Sequence, residues 1–180
     1  AGLDHGLLAA VWPDPRQPLR LDLGQDHRPV GHGDRPLGEL KTLGDAVSAA
    51  LPGALSRVVV DFGELTLEVA RDRWVETVKY LHDAPDCLFV NLIDLCGVDY
   101  PQRAERFEIV LHLLSPRHNR RIRVKTRTNE TTPVPSLTGV YKSANWYERE
   151  AYDLVGVLFS GHPDLRRMLT DYGFDGHPLR

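Results

Sequence analysis

Between Arg121 and Thr128 the chain alternates without a break: Ile122, Val124, Thr126 and Thr128 on one side, Arg121, Arg123, Lys125 and Arg127 on the other. Period two is strand geometry, because successive side chains leave a strand on opposite faces. A strand that is apolar and β-branched on one side and cationic on the other belongs to a sheet with one packed face and one wet face.

The neighbouring patterns extend that sheet. Residues 58–60 (Val58, Val59, Val60) read as one strand, and Leu65, Leu67 and Val69 alternate as a second, with a turn at Phe62-Gly63 between them. Residues 88–95 are dense enough in apolar side chains to be a central strand, and residues 107–114 follow, ended by Ser115-Pro116. The short links between the later strands favour antiparallel hairpins.

Two helices separate or precede these strands. Thr42 can cap a helix running to about Leu51, with Leu43, Val47 and Ala50 on one stripe and Pro52-Gly53 as its stop. Residues 71–83 form the second, with Trp74, Val78 and Leu81 on a shared face. The expected fold is α+β: a mixed, mostly antiparallel sheet of about five strands with two helices on one face.

After a Thr/Pro linker at residues 129–137 the chain changes character. Asn145 with Glu148 three positions on resembles a capping box. Tyr147, Ala151, Leu154 and Val155 then make an apolar stripe, and Gly156 can take the left-handed cap. Pro163 suits the first turn of another short helix, with Leu165, Met168 and Leu169 inward, and residues 171–180 read as loop or extended tail. The expected organisation is an extended or flexible segment at 1–38, an α+β core at 39–128 and a partner-docking segment at 129–180.

Composition excludes several classes. A net charge of −3 gives no global attraction to nucleic acid, and an apolar fraction of 42% is enough for a core. No apolar run has the length of a membrane span, and no basic region followed by an apolar core marks a signal peptide. The chain does not begin with methionine, so its start reads as processed, trimmed or incompletely captured. Cys87 and Cys96 read as buried thiols in a reduced compartment; two cysteines neither hold an iron–sulfur cluster nor form a zinc knuckle.

The candidate chemistry is sparse. Arg117, Arg120, Arg121, Arg123, Lys125 and Arg127 form a basic run, but no aromatics alternate with them to stack bases, which favours a solvated or partner-facing strand. Arg149 and Asp153 are spaced as an outer-face pair. Glu150 lies at the margin of the apolar stripe and reads as an anchor for an arginine, as a general base with His162, or as a snorkelling surface side chain. His162 and His177 each precede proline and read as backbone-bonded turn residues, with a metal site among Asp164, Asp171 and Asp175 as the alternative. No glycine motif matches a nucleotide loop.

One further pattern is long and nearly gap-free. Glu148-Arg149-Glu150, Tyr152-Asp153-Leu154, Gly156, Phe159, Gly161-His162-Pro163-Asp164, Arg166-Arg167, Thr170-Asp171-Tyr172-Gly173-Phe174 and Gly176-His177-Pro178 resemble the signature of one family, the thirty-kilodalton subunit of NADH:quinone oxidoreductase, which is respiratory complex I. The resemblance extends upstream to residues 89–100 and 121–128 and covers residues 40–180.

The resemblance implies a hydrophilic-arm scaffold without catalytic residues, which binds no flavin, iron–sulfur cluster, quinone or other cofactor. It implies packing against the large subunit of that arm, near the subunit that carries the terminal iron–sulfur cluster, with the C-terminal tail running over a neighbour. It implies no activity alone, within an assembly that passes electrons from NADH to quinone and pumps protons. The location implied is the cytoplasmic face of the bacterial inner membrane, or the matrix side in mitochondria, with the membrane reached only through the complex. Members usually continue past the second Gly-His-Pro with a Lys-Asp-Phe-Pro tail, which Arg180 does not reach.

Membrane-bound hydrogenases carry related subunits, so an equivalent place in such a complex is the alternative; a stand-alone Glu/His hydrolase is a more distant one. The interface residues expected on these grounds are Glu148, Arg149, Glu150, Asp153, His162, Asp164, Arg166, Arg167, Asp171, Tyr172 and His177.

Overall fold

The alternating segment becomes strand β5 (Arg120–Thr128), and it lies in the middle of the sheet. The computed structural model describes residues 37–180; the expectation of a flexible segment at 1–38 falls almost wholly outside the described residues. The elements are α1 (Leu37–Ala50), β1 (Leu55–Asp61), β2 (Glu64–Val69), a 3-10 turn (Arg71–Arg73) leading into α2 (Trp74–Asp83), β3 (Asn91–Asp99), β4 (Phe107–Ser115), β5, β6 (Val134–Pro135), α3 (Ala144–Val155) and β7 (Phe159–Ser160). The five-stranded sheet has the order β1-β2-β5-β4-β3. Only the β2–β5 pair in it is parallel, so the sheet is mixed and mostly antiparallel, as expected.

Register puts like with like. Leu65 and Leu67 of β2 stand beside Ile122 and Val124, which stand beside Leu113 and Leu111 of β4. All of these are buried. The alternate positions build the other face: Arg123 reaches Glu64 (2.6 Å), Lys125 reaches Glu108 (2.8 Å), and Arg127 bridges Glu108 and Glu68 (3.3 Å each). Three of the four cations on that face of β5, Arg123, Lys125 and Arg127, are therefore paired with carboxylates of the flanking strands, which disfavours the nucleic-acid reading.

The packed face is covered by helices. Leu40, Leu43 and Val47 of α1 join the core, and Gly44 sits so close to β1 that a Cβ there would lie 2.6 Å from Val58. Trp74, Val78 and Leu81 of α2 are wholly buried. A third helix, α3, covers the β3 end of the same face: a Cβ on Gly97 of β3 would meet Val157 at 3.2 Å and Val155 at 3.5 Å. Val134, Leu137, Tyr141, Ala151, Val155 and Phe159 belong to the same core cluster as the sheet. These residues lie in the segment expected to dock, so part of that segment also belongs to the core.

Several expectations need correction. α1 begins at Leu37, and the Thr42 hydroxyl donates back to the Gly38 carbonyl (2.8 Å) inside the helix instead of capping it. β3 begins at Asn91, after a positive-φ Leu88 (47°), and it is an edge strand, not a central one. Its apolar density is explained by α3, which lies against it; the Tyr147 hydroxyl donates to the carbonyl of Ile93 at the β3 bulge (2.9 Å). Cys87 is buried and Cys96 half-buried; burial pushes both thiols up. No helix forms after Pro163, for a reason that lies in α3.

Candidate docking face

α3 forms because Tyr147, Ala151, Leu154 and Val155 share a stripe that β3 and the core can bury. Its start is not the expected capping box. Ser143 holds the cap position without a side-chain bond, Asn145 lies inside the helix, and Glu148 turns inward. The Glu148 carboxylate, fully buried, accepts from the Ser136 hydroxyl and the Leu137 N–H, each at 2.6 Å. Burial pushes its pKa up, and these two donors only partly offset that.

His162 Nε2 is 4.0 Å from Glu148. The His162 tautomer is set by its neighbours: Nδ1 accepts from the Asp164 N–H (3.0 Å), so Nε2 carries the proton and donates to the Asn145 carbonyl (3.1 Å). The carboxylate beside His162 is Glu148, not Glu150. Glu150 is exposed on α3, so the Glu150–His162 acid–base pair is not formed.

Asp153 is the second inward carboxylate, not half of an outer-face pair with Arg149. Its oxygens accept from three consecutive N–H groups, Met168 (2.9 Å), Leu169 (2.7 Å) and Thr170 (3.0 Å). They also accept from the Thr170 hydroxyl (2.7 Å) and the Arg167 guanidinium (3.3 Å). Burial alone would raise this pKa, but the Thr170 hydroxyl and the N–H groups outweigh it and hold the carboxyl well below the usual carboxylate range. This explains the missing helix. The N–H groups that a helix from Pro163 would direct at carbonyls four residues back are aimed at Asp153 instead.

The C-terminal end of α3 is closed by the tail of the chain. Gly156, in the left-handed conformation (φ 85°), donates its N–H to Ala151 and Tyr152. The next three carbonyls go to residues more than twenty positions on: Asp153 O to His177 Nδ1 (3.0 Å), Leu154 O to the Leu179 N–H (2.9 Å), and Val155 O to Arg180 Nε (2.8 Å). Arg149 adds another tether, its guanidinium donating to the carbonyls of Arg166 (3.1 Å) and Arg167 (3.2 Å) beside the Trp146 ring. Residues 163–180 thus form a strap laid along α3 and held by its polar groups.

Of the expected interface residues, the structure turns Glu148, Arg149, Asp153, His162, Arg167 and His177 towards partners within the chain. Glu150, Asp164, Arg166, Asp171 and Tyr172 face outward, with Arg166 ion-paired to Asp164 at 2.8 Å. The residues that the sequence reading misses are apolar. Trp146 (64% exposed), Leu169, Phe174 and Leu179 stand out from α3 and the strap, as does a fully exposed Tyr172. The signal for Trp146 is its position outside the helix's apolar stripe; Leu169 has none, since a helix after Pro163 would bury it.

Among the described residues no group of three His, Cys, Asp or Glu side chains is placed to hold a metal, and no helix is long and apolar enough to cross a membrane. A groove of about 420 Å³ runs along Ser56, Arg71, Glu105 and Lys125, away from α3. Its walls carry the ion pairs Arg71–Glu105 and Arg127–Glu68.

Known proteins resemble the chain in sequence and in fold. The family described as "Respiratory-chain NADH dehydrogenase, 30 Kd subunit" matches residues 67–180. A subunit of NADH-quinone oxidoreductase from Methylobacterium sp. (strain 4-46) is 56% identical over 154 residues, 86% of this chain and 70% of the relative. The same subunit from Methylobacterium radiotolerans is 61% identical over 145 residues, covering 76% and 67%. Among solved structures, a chain of the membrane-bound sulfane sulfur reductase, an archaeal respiratory membrane complex, superposes with a TM-score of 0.62. The match covers 74% of this chain and 79% of that one at 22% identity, a likeness of fold alone.

Proposed function

This chain belongs to the 30 Kd subunit family of respiratory-chain NADH dehydrogenase, and from that premise we propose that it is a scaffold subunit that docks on the large subunit of the hydrophilic arm. In this reading it performs no chemistry and binds no cofactor. It orders its neighbours in the arm, including the one that carries the terminal iron–sulfur cluster, so that electrons pass from NADH to quinone. Its place is peripheral, on the cytoplasmic face of the bacterial inner membrane, reached through the rest of the complex.

The observation that carries the reading is the strap. Residues 163–180 have no regular secondary structure, yet buried polar groups of α3 hold them in one conformation. Ordering loop-like chain is entropically costly, and here it leaves Tyr172 and Phe174 exposed on a fixed backbone, while Trp146 stands out from α3. Exposed aromatics on a preorganised backbone suit a protein interface, where such side chains act as anchors.

The test is a tagged full-length chain expressed in its host, solubilised in mild detergent, with the co-eluting chains identified. The large hydrophilic-arm subunit and the cluster-carrying one should co-elute, and Trp146→Ala combined with Tyr172→Ala should reduce them while leaving the melting curve of the purified chain unchanged. Recovery of hydrogenase subunits in their place would assign the chain to that alternative complex. A chain that purified alone and turned over a small molecule would end the proposal.

A further inference from the structure

The two edges of the sheet are finished differently. At the β3 edge a bulge lies between Leu92 and Asp94, and the Tyr147 hydroxyl donates to the Ile93 carbonyl. The opposite edge is β1, and among the described residues no strand pairs with its outer side. Such an edge is usually blunted by a charge, a proline or a bulge. In β1 the bulge lies at the Leu55 end and the charges are Arg57 and Asp61, with Val58, Val59 and Val60 between them.

The hairpin fixes which backbone groups of β1 are free. Asp61 and Glu64 flank the two-residue turn and are partners, and Val59 with Thr66 and Arg57 with Glu68 follow in step. Residues that flank a two-residue turn exchange both of their hydrogen bonds, and the pattern alternates from there. Asp61, Val59 and Arg57 therefore commit their N–H and C=O groups to β2, whereas those of Val58 and Val60 point away from the sheet. Side chains alternate as well. Arg57, Val59 and Asp61 share the open face, in line with Glu68, Thr66 and Glu64; Val58 and Val60 share the packed face, partly buried against the core.

This pattern is complementary to its own reverse. When a second β1 lies antiparallel to the first, with Val59 opposite Val59, each Val58 faces a Val60 and the free N–H and C=O groups bond across the seam. Arg57 then faces Asp61 of the second copy on the open face, at both ends. Both side chains are exposed: Arg57 has only a long contact to Glu68 (3.8 Å), and the Asp61 carboxylate accepts from the Phe62 N–H beside it (3.0 Å). The neighbouring registers that keep the hydrogen bonds set Arg57 or Asp61 against Val59 instead. Opposite charges facing across a strand pair are favourable and like charges are not, so the charges select one register.

We propose that two copies of the free chain pair through the outer edges of β1, antiparallel about Val59, with an Arg57–Asp61 ion pair at each end. The ladder is short, so the dimer is weak and forms with rising concentration. It covers an edge that is otherwise open to aggregation, and it lies at the opposite end of the sheet from α3.

Sedimentation of the purified full chain over a concentration series tests this. The wild type should pass from monomer to dimer. Arg57→Asp and Asp61→Arg should each dimerise about tenfold more weakly, because like charges then face each other. An equal mixture of the two variants should regain dimerisation as a heterodimer, since each supplies the charge that the other lacks; mixing would not repair a folding defect. Val60→Pro removes an outward N–H but no bond to β2, and should abolish the dimer while the chain still melts cooperatively. A wild type that stays monomeric at every concentration, or a dimer that the single variants leave unchanged, overturns the proposal. If the wild type is monomeric and Val60→Pro fails to co-elute with the complex, the edge takes a strand of another subunit and the second copy is refuted.

Discussion

Asp153 and Thr170 are joined twice: the threonine hydroxyl (2.7 Å) and its backbone N–H (3.0 Å) both donate to the one buried carboxylate. The two are seventeen positions apart, and the intervening chain loops out and returns to make that junction. Asp153→Asn keeps the size but puts an NH2 group where donors already converge, leaving buried N–H groups unpaired. The expected cost is about 3 kcal/mol. Hydrogen exchange should show residues 163–180 deprotected while the sheet stays protected; equal protection in the two proteins would refute the tether.

Asp153 and Glu148 have opposite signs in their pH dependence. Asp153 has a depressed folded pKa, so its stabilisation is present above the ordinary aspartate value, about 4, and is lost as pH falls towards its folded value. Glu148 has a raised folded pKa, so its contribution is full below the ordinary glutamate value, about 4.3, and is lost as pH rises through the folded value. In carboxyl NMR titrations Asp153 should remain ionised to the lowest pH at which the fold survives, and Glu148 should protonate above about pH 4.3. Glu148→Gln should remove the decline in stability with rising pH and cost under about 1.5 kcal/mol at neutral pH, because an amide oxygen can still accept from Leu137.

Gly156 is required by two independent facts. Its φ is 85°, and a Cβ there would lie 2.7 Å from the His177 ring. Gly156→Ala should cost about 2 kcal/mol in backbone strain and displaced tail. Protease sensitivity should rise at residues 176–180 before the sheet loosens. An unchanged digestion pattern would show that the tail does not depend on this close approach.

Phe62 and Gly63 form the β1–β2 turn with both φ values positive (50° and 73°), and the Phe62 ring is 93% exposed. Both-positive two-residue hairpin turns favour Asn-Gly, and a bulky residue at the first position is strained. Phe62→Asn should raise stability by about 1 kcal/mol, measured as a higher melting temperature. A lower one would imply that the ring contributes a contact that outweighs the turn strain.

Periodicity makes the sheet legible. Strand β5, the β1–β2 hairpin and α2 come directly from spacings of two and 3.6, because burial of one face is a local property of the chain. The edge position of β3 is not legible, since apolar density reports that a strand is covered and does not distinguish cover by two strands from cover by one strand and a helix. The helix expected after Pro163 fails for a related reason. Its pattern is acceptable locally, but Asp153 competes for the same N–H groups from a distance along the chain that no window spans.

The amino-acid order alone determined the α+β class, the wet and dry faces of the sheet and the family to which the C-terminal motifs belong, because each depends on residues close together in the chain. It did not determine which charges of Glu148–Arg180 face solvent. That was decided by tertiary structure: a buried carboxylate is tolerated only where donors converge, and Ser136, Leu137, Met168, Leu169 and Thr170 converge on Glu148 and Asp153 only once α3 has packed on the core.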